Sequence, residues 1–158
     1  AVFADIATLR TGGKVDDYFI IHLMKPARIP EVKITLKASY LMCENEPRFV
    51  LHGTEGSYVK YGLDPQEADL TKGMLPDTPH WGEEDESQWG ILHTETDGNV
   101  VRKPYPTLPG NYAPFYENIY QHIRNGAVLQ SDACGVLGVI RLIEAAWESS
   151  RTGNVIKL

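Results

Sequence analysis

The chain is poor in cysteine, has no run of basic residues and contains no long apolar stretch. Its two cysteines, Cys43 and Cys134, stand outside any CxxC pair, which excludes a disulfide framework and the usual zinc and redox motifs. Two free thiols in a reducing compartment, the cytoplasm, is the expectation. Fifteen Lys and Arg are scattered along a chain of net charge −6, so nothing tracks phosphates or an anionic lipid surface. Nucleic acid and membrane are therefore not expected as partners. No segment approaches the ~20 apolar residues of a membrane span, and no charged-then-apolar leader opens the sequence. A glycine fingerprint between strand and helix is missing, as is a GxxxxGK phosphate loop, so no residue is expected to bind a nucleotide cofactor. The five histidines form no HxH, HxxxH or HExxH pair, and no metal site is expected. Ser57, Ser87, Cys43 and Cys134 lack any motif of an activated nucleophile.

What is present is mostly strand. Residues 1–10 alternate as a strand from the very first position, which predicts that the sequence was cut from a longer protein at a domain seam. After a turn at Thr11-Gly12-Gly13-Lys14, residues 16–24 form a second strand that is apolar on both faces, with Phe19, Ile21 and Leu23 opposing Tyr18, Ile20 and Met24. Such a strand needs cover on both sides. Residues 25–30 carry two prolines and predict a loop, and residues 32–40 alternate cleanly. Residues 48–52 and 57–61 make a hairpin about Gly53-Thr54-Glu55-Gly56. Short connections between successive strands predict an antiparallel meander.

The alternation dissolves over residues 62–88. Asp64 and Pro65 can start a helical turn, as cap and first residue. Pro76, Pro79 and the acidic run Glu83-Glu84-Asp85-Glu86 then exclude regular structure, and the run reads as solvated. Loops above ~12–15 residues are usually functional or disordered; Trp81 and Trp89 favour an ordered excursion. A last hairpin is expected around Thr96-Asp97-Gly98. A helix follows from Phe115 until Gly126 stops it, with Phe115, Ile119, His122 and Ile123 on its apolar face. The final helix starts near Ser131, its expected cap, and ends at Gly153 in a left-handed stop. Val136, Val139, Ile140, Ile143 and Trp147 recur at three- and four-residue steps and predict the face that covers the sheet. Gly135 and Gly138 fall inside this helix, where a helix-to-helix contact is expected. Val155, Ile156 and Leu158 read as a closing strand. The fold class is α+β: an open, mostly antiparallel sheet with two helices on one face, the other face free for oligomerisation. Residues 1–158 read as a single domain.

Few residues point to chemistry. His22, His52 and His122 read as packing rings on a sheet or helix face. His80 and Trp81 differ, because they stand together in the long loop as Pro79-His80-Trp81-Gly82. An imidazole that titrates near neutrality beside an aromatic suits a ligand, so His80 and Trp81 are the candidates for substrate contact. Asp16-Asp17 would point to opposite faces of a strand, which disfavours an acid–base pair. No residue is assigned a catalytic role.

Taken in order, several stretches resemble one family. They are Gly13-Lys14-Val15-Asp16-Asp17-Tyr18, Leu51-His52-Gly53-Thr54-Glu55-Gly56-Ser57, Tyr61-Gly62-Leu63-Asp64-Pro65-Gln66-Glu67-Ala68, Leu108-Pro109-Gly110-Asn111-Tyr112, Phe115-Tyr116-Glu117-Asn118-Ile119 and Glu144-Ala145-Ala146-Trp147-Glu148-Ser149-Ser150. Nearly the whole chain resembles the C-terminal domain of the glucose–fructose oxidoreductase / inositol dehydrogenase family, in its scyllo-inositol-dehydrogenase-like branch. The resemblance implies a parent that binds NAD or NADP through an N-terminal Rossmann domain and oxidises a sugar or cyclitol hydroxyl. It also implies homo-oligomers formed through the open sheet face. The family's Glu-Lys-Pro lysine and Asp-xxx-His pair have no counterpart in this sequence, so the chain alone is expected to bind no cofactor and to be inactive. The alternatives are a free-standing binding or scaffold protein that shares the sheet, and third a metal-dependent β-fold enzyme.

Overall fold

In a computed structural model, residues 1–24 and 31–158 are described; the proline loop expected at residues 25–30 lies outside them. The chain divides into two compact units, residues 1–43 with 130–158, and residues 44–129.

In the first unit, β1 (Val2–Ala7), β2 (Tyr18–Leu23) and β3 (Ile34–Ser39) form an antiparallel sheet in that order. The register sets Val2 against Leu23 and Ala4 against Ile21, and pairs Ile21 with Leu36. These residues therefore share a face, since side chains alternate along a strand. The α3 helix (Ala133–Thr152) packs on β1, and Val2, Ala4, Ala145 and Ala146 make the core with Ile6, Ile21, Leu23, Leu142 and Ile156 against it. On the opposite face Phe3 stacks on His22 at 6.5 Å between ring centres. Apolar side chains thus occupy both faces of β2.

Four expectations about this unit change. The helix meets the sheet through its small residues Ala145, Ala146 and Ser149, while Val136, Val139, Ile140, Ile143 and Trp147 stay exposed. Alanine and serine let the helix come close enough for side-chain to backbone hydrogen bonds, which a row of branched side chains would prevent. The cap is Asp132, not Ser131, and accepts from the Gly135 N–H at 2.8 Å; Gly153 does end the helix at φ 68°. A Cβ on Gly138 would meet nothing within 4 Å, so the expected helix contact does not form there among the described residues. The closing strand reduces to one antiparallel bridge, Val2 to Ile156.

The second unit holds an antiparallel sheet ordered β4 (Phe49–His52), β5 (Gly56–Lys60), β6 (Gly90–Thr96) and β7 (Asn99–Tyr105). The meander is therefore two ladders rather than one. Between β6 and β7, Asp97 and Gly98 both take positive φ, 52° and 74°, as a two-residue turn matched to strand twist requires. Helix α1 (Gln66–Thr71) and a single 3₁₀ turn (Glu86–Gln88) lie in the excursion between β5 and β6. Helix α2 (Ala113–Asn125) ends at Gly126 with φ 71° and buries none of its residues.

Candidate functional site

The excursion is ordered by one glutamine. Gln66 is 1 % exposed, and such a buried amide must satisfy its donors and acceptor internally. Its Oε1 accepts from the Trp81 indole N–H and from the Tyr112 backbone N–H, both at 2.9 Å. Its Nε2 donates to Asp64 Oδ2 at 2.9 Å, and its backbone N–H to Asp64 Oδ1 at 3.0 Å. The cap position of α1 is held by Pro65 rather than by Asp64, which the sequence suggested, and Asp64, one residue earlier, uses its carboxylate to hold Gln66 instead. Gln66 ties together α1, the loop around Trp81 and the segment before α2.

Trp81 is bracketed by left-handed residues, His80 at φ 62° and Gly82 at φ 71°. This reversal turns the indole inward and the imidazole outward. A non-glycine residue in that region is strained, though histidine tolerates it better than most. The backbone beside Trp81 runs against Gly110, whose N–H donates to the Gly82 carbonyl at 3.0 Å. A Cβ on Gly82 would come to 2.0 Å of the Gly110 carbonyl oxygen, and one on Gly110 to 2.4 Å of Asp64 Oδ2. Only glycine fits at either place.

Beside this knot lies a buried ion pair. Lys60, at the end of β5, donates to Glu84 Oε2 at 2.6 Å, to the Gln88 carbonyl at 2.9 Å and to Thr107 Oγ1 at 3.3 Å. All three ammonium hydrogens are used, which is what a buried charge requires. The pair lines a cleft of about 260 Å³, together with Arg48, Phe49, Leu63 and Leu108 and the glycines Gly62, Gly82 and Gly110. A second hollow, about 480 Å³, runs along α2 and is lined by Leu70, Pro76, Tyr112, Tyr116 and Tyr120.

The structure separates the two residues singled out in the sequence. Trp81 is buried and its N–H is taken by Gln66, so it anchors the loop. His80 is exposed, with Nδ1 held at 2.9 Å by Glu83 Oε2. The acidic run is not uniformly solvated, because its members have different duties. Glu83 holds His80, Glu84 enters the ion pair with a side chain 4 % exposed, and Asp85 caps the 3₁₀ turn. The hydroxyl and amide of Ser87 hold the Asp85 carboxyl below its ordinary range. His22 stacks on Phe3, as expected of a ring on the sheet, but it is exposed, and so are His52 and His122, for which packing was also expected. The three bond to Thr35 Oγ1, Ser57 Oγ and the Ala127 carbonyl. Among the described residues no group of three His, Cys, Asp or Glu could hold a metal ion. Sequence reasoning missed Lys60, Gln66 and Glu84. For Gln66 a signal was present, an amide directly after an Asp-Pro helix start, whereas the pairing of Lys60 with Glu84 spans the excursion and leaves no periodic trace.

Known proteins similar to this chain include several oxidoreductases. A family model described as "Oxidoreductase family, C-terminal alpha/beta domain" matches residues 2–158. The curated protein scyllo-inositol 2-dehydrogenase (NADP(+)) IolW of Bacillus subtilis is 33% identical over 158 residues, which is 100% of this chain and 43% of IolW. The oxidoreductase YdgJ of Escherichia coli is 33% identical over 147 residues, 93% of this chain and 41% of YdgJ. Among solved structures, an oxidoreductase from Bacteroides fragilis is 58% identical with a TM-score of 0.93, over 99% of this chain and 46% of that one. The yvaA oxidoreductase of Bacillus subtilis is 32% identical with a TM-score of 0.92, over 99% and 45%. The chain therefore spans less than half the length of the relatives it matches. It belongs to the glucose–fructose oxidoreductase / inositol dehydrogenase family of oxidoreductases, where it matches the C-terminal α/β domain.

Proposed function

We propose that this chain is the C-terminal half of an NAD(P)-dependent oxidoreductase that passes hydride between a sugar or cyclitol carbinol and nicotinamide. The observation that carries this reading is the match over the chain's whole length to less than half of each relative. In this reading the nucleotide-binding and proton-handling groups belong to the remaining half, and this domain walls the substrate side. The exposed stripe Val136, Val139, Ile140, Ile143 and Trp147 of α3 supports it. A contiguous apolar helix face of that size marks a surface that another element covers. His80, outside its Trp81 anchor, is the member of that pair placed to reach substrate. The sheet face bearing Phe3 joins subunits into a homo-oligomer. Both cysteines are free and exposed, as suits a cytoplasmic enzyme.

Nicotinamide absorbance tests the reading, with inositols and hexoses as substrates and NAD and NADP in separate arms. A protein that carries this chain behind a nucleotide-binding half should reduce one of them. The chain by itself should reduce neither. Turnover by the isolated chain, or none by the longer protein with any polyol, would overturn the proposal. Light scattering checks the oligomer: a strict monomer at high concentration rules it out.

A further inference from the structure

We infer that the cleft over Lys60 and Glu84 holds one neutral polyhydroxylated ring, and that the free oxygen of Glu84 selects it. The inference rests on the dehydrogenase reading for the ligand's class, but the site itself follows from the geometry. Glu84 is nearly sealed, 4 % exposed at its side chain, yet only its Oε2 is bonded, to Lys60. No other hydrogen bond reaches this carboxylate among the described residues. No side-chain nitrogen or oxygen there is both fully buried and unpaired, so Oε1 must open to solvent, and the cleft is the space that Glu84 lines. Lys60 has no hydrogen left to give it. A ligand in the cleft must bring its own donor, and a hydroxyl is the group that donates to a carboxylate without bringing charge.

The other walls agree on what kind of molecule fits. The charges lining the cleft balance, Arg48 and Lys60 against Asp64 and Glu84, which gives no net preference for an ion. Arg48 lies over the Phe49 ring at 5.9 Å and has no ion-pair partner among the described residues, so its guanidinium can donate to a hydroxyl oxygen at the mouth. Phe49, Leu63 and Leu108 are exposed around the same space and would meet the C–H face of a ring. The volume, about 260 Å³, falls just below the range of drug-sized pockets that begins near 300 Å³. It suits one ring and is too small for a dinucleotide.

Titration of the isotope-labelled chain with myo-inositol and glucose tests this by amide chemical shift. The backbone signals of Gly62, Gly82 and Gly110 should move in a saturable way, while citrate and putrescine, as charged probes, should leave them in place. Glu84→Gln should weaken binding about tenfold, the loss of one charge-assisted hydrogen bond. Because that change also touches the ion pair with Lys60, Leu108→Trp is the second variant. Leu108 is 87% exposed, and the larger ring should fill the mouth and abolish binding without unfolding the chain. Unmoved glycine signals at saturating polyol, a stronger response to citrate, or unchanged binding by Leu108→Trp would each overturn the inference. In the longer oxidoreductase, Leu108→Trp should raise KM for polyol. Turnover with KM unchanged sinks the cleft and leaves the dehydrogenase reading intact. No hydride transfer at all sinks that reading, and the glycine shifts then decide the cleft by themselves.

Discussion

Ser149 Oγ, fully buried on α3, accepts the backbone N–H of Ala4 at 3.0 Å and donates to the Asn154 carbonyl at 2.7 Å. One residue on, Ser150 Oγ accepts from the Ile6 N–H and returns a bond to the Ile6 carbonyl. Val2 exchanges both its backbone bonds with Ile156. The outer edge of β1 is thus satisfied at each alternate residue by α3 and the segment after it, so it offers no open ladder to another chain. Ser149→Ala leaves the Ala4 N–H buried without a partner, which costs ~1–3 kcal/mol. A urea midpoint lowered accordingly is expected, with a smaller effect for the less buried Ser150→Ala. Equal midpoints for wild type and Ser149→Ala would remove the role given to this hydroxyl.

Asp17 closes the turn between β1 and β2. Its Oδ1 accepts from the Leu9 N–H at 2.7 Å, and its Oδ2 from the Arg10 N–H at 3.1 Å and the Arg10 Nε–H at 3.0 Å. The Leu9 amide first, and then the Arg10 bonds against the opposing effect of burial, hold its carboxyl below the ordinary range. A carboxyl whose value is depressed on folding stabilises the fold at every pH above the unfolded value, about 3.9. That contribution is lost as the pH falls below it toward the folded value. Urea titrations at neutral pH and near pH ~3 should show the gap between wild type and Asp17→Asn shrinking in acid. A gap that stays constant would place its origin in packing.

Much of this could be read in the sequence, and what could not has a common cause. Alternation located β1 to β3, and Gly126 and Gly153 marked two helix ends where both take positive φ. The same periodicity misplaced the buried face of α3. Hydropathy ranks Val136 or Ile140 above Ala145, but contact with β1 depends on closeness, which small side chains permit. The acidic run concealed Glu84 because charge composition does not show which member has a cation opposite it, and Lys60 arrives from across the excursion. Gln66 follows the Asp64-Pro65 helix start and falls within an identifying stretch, neither of which shows its role. Its place at the centre of four hydrogen bonds depends on Trp81 and Tyr112, which no local pattern links to it.

The Lys60–Glu84 pair predicts a non-additive pair of substitutions. Removing one partner strands a buried charge, and Lys60→Met alone should cost ~3–5 kcal/mol. Lys60→Met with Glu84→Leu removes both charges and leaves apolar groups of similar bulk, which is often near neutral. A double-mutant cycle by chemical denaturation should therefore find the double variant more stable than Lys60→Met. Additive losses would mean that the two side chains act independently, which a separation of 2.6 Å makes physically implausible.

Two glycine-to-alanine substitutions should have opposite signs. At Gly110 the new methyl would lie 2.4 Å from Asp64 Oδ2 and 2.5 Å from Gln66 Nε2, and both atoms are already committed to each other. To admit it, the Asp64–Gln66 bond must break or the Gly82–Gly110 backbone contact must open, and either disturbs the seat of Trp81. Gly110→Ala should destabilise by ~1–3 kcal/mol and shift the tryptophan fluorescence to the red as Trp81 meets water. At Gly138 the methyl would meet nothing within 4 Å, in the interior of an α-helix where alanine is favoured over glycine by ~0.5–1 kcal/mol. Gly138→Ala should therefore raise the melting temperature and leave the fluorescence unchanged. If Gly138→Ala instead lowers stability, that face of α3 is occupied in solution, and the empty space beside it belongs to a partner.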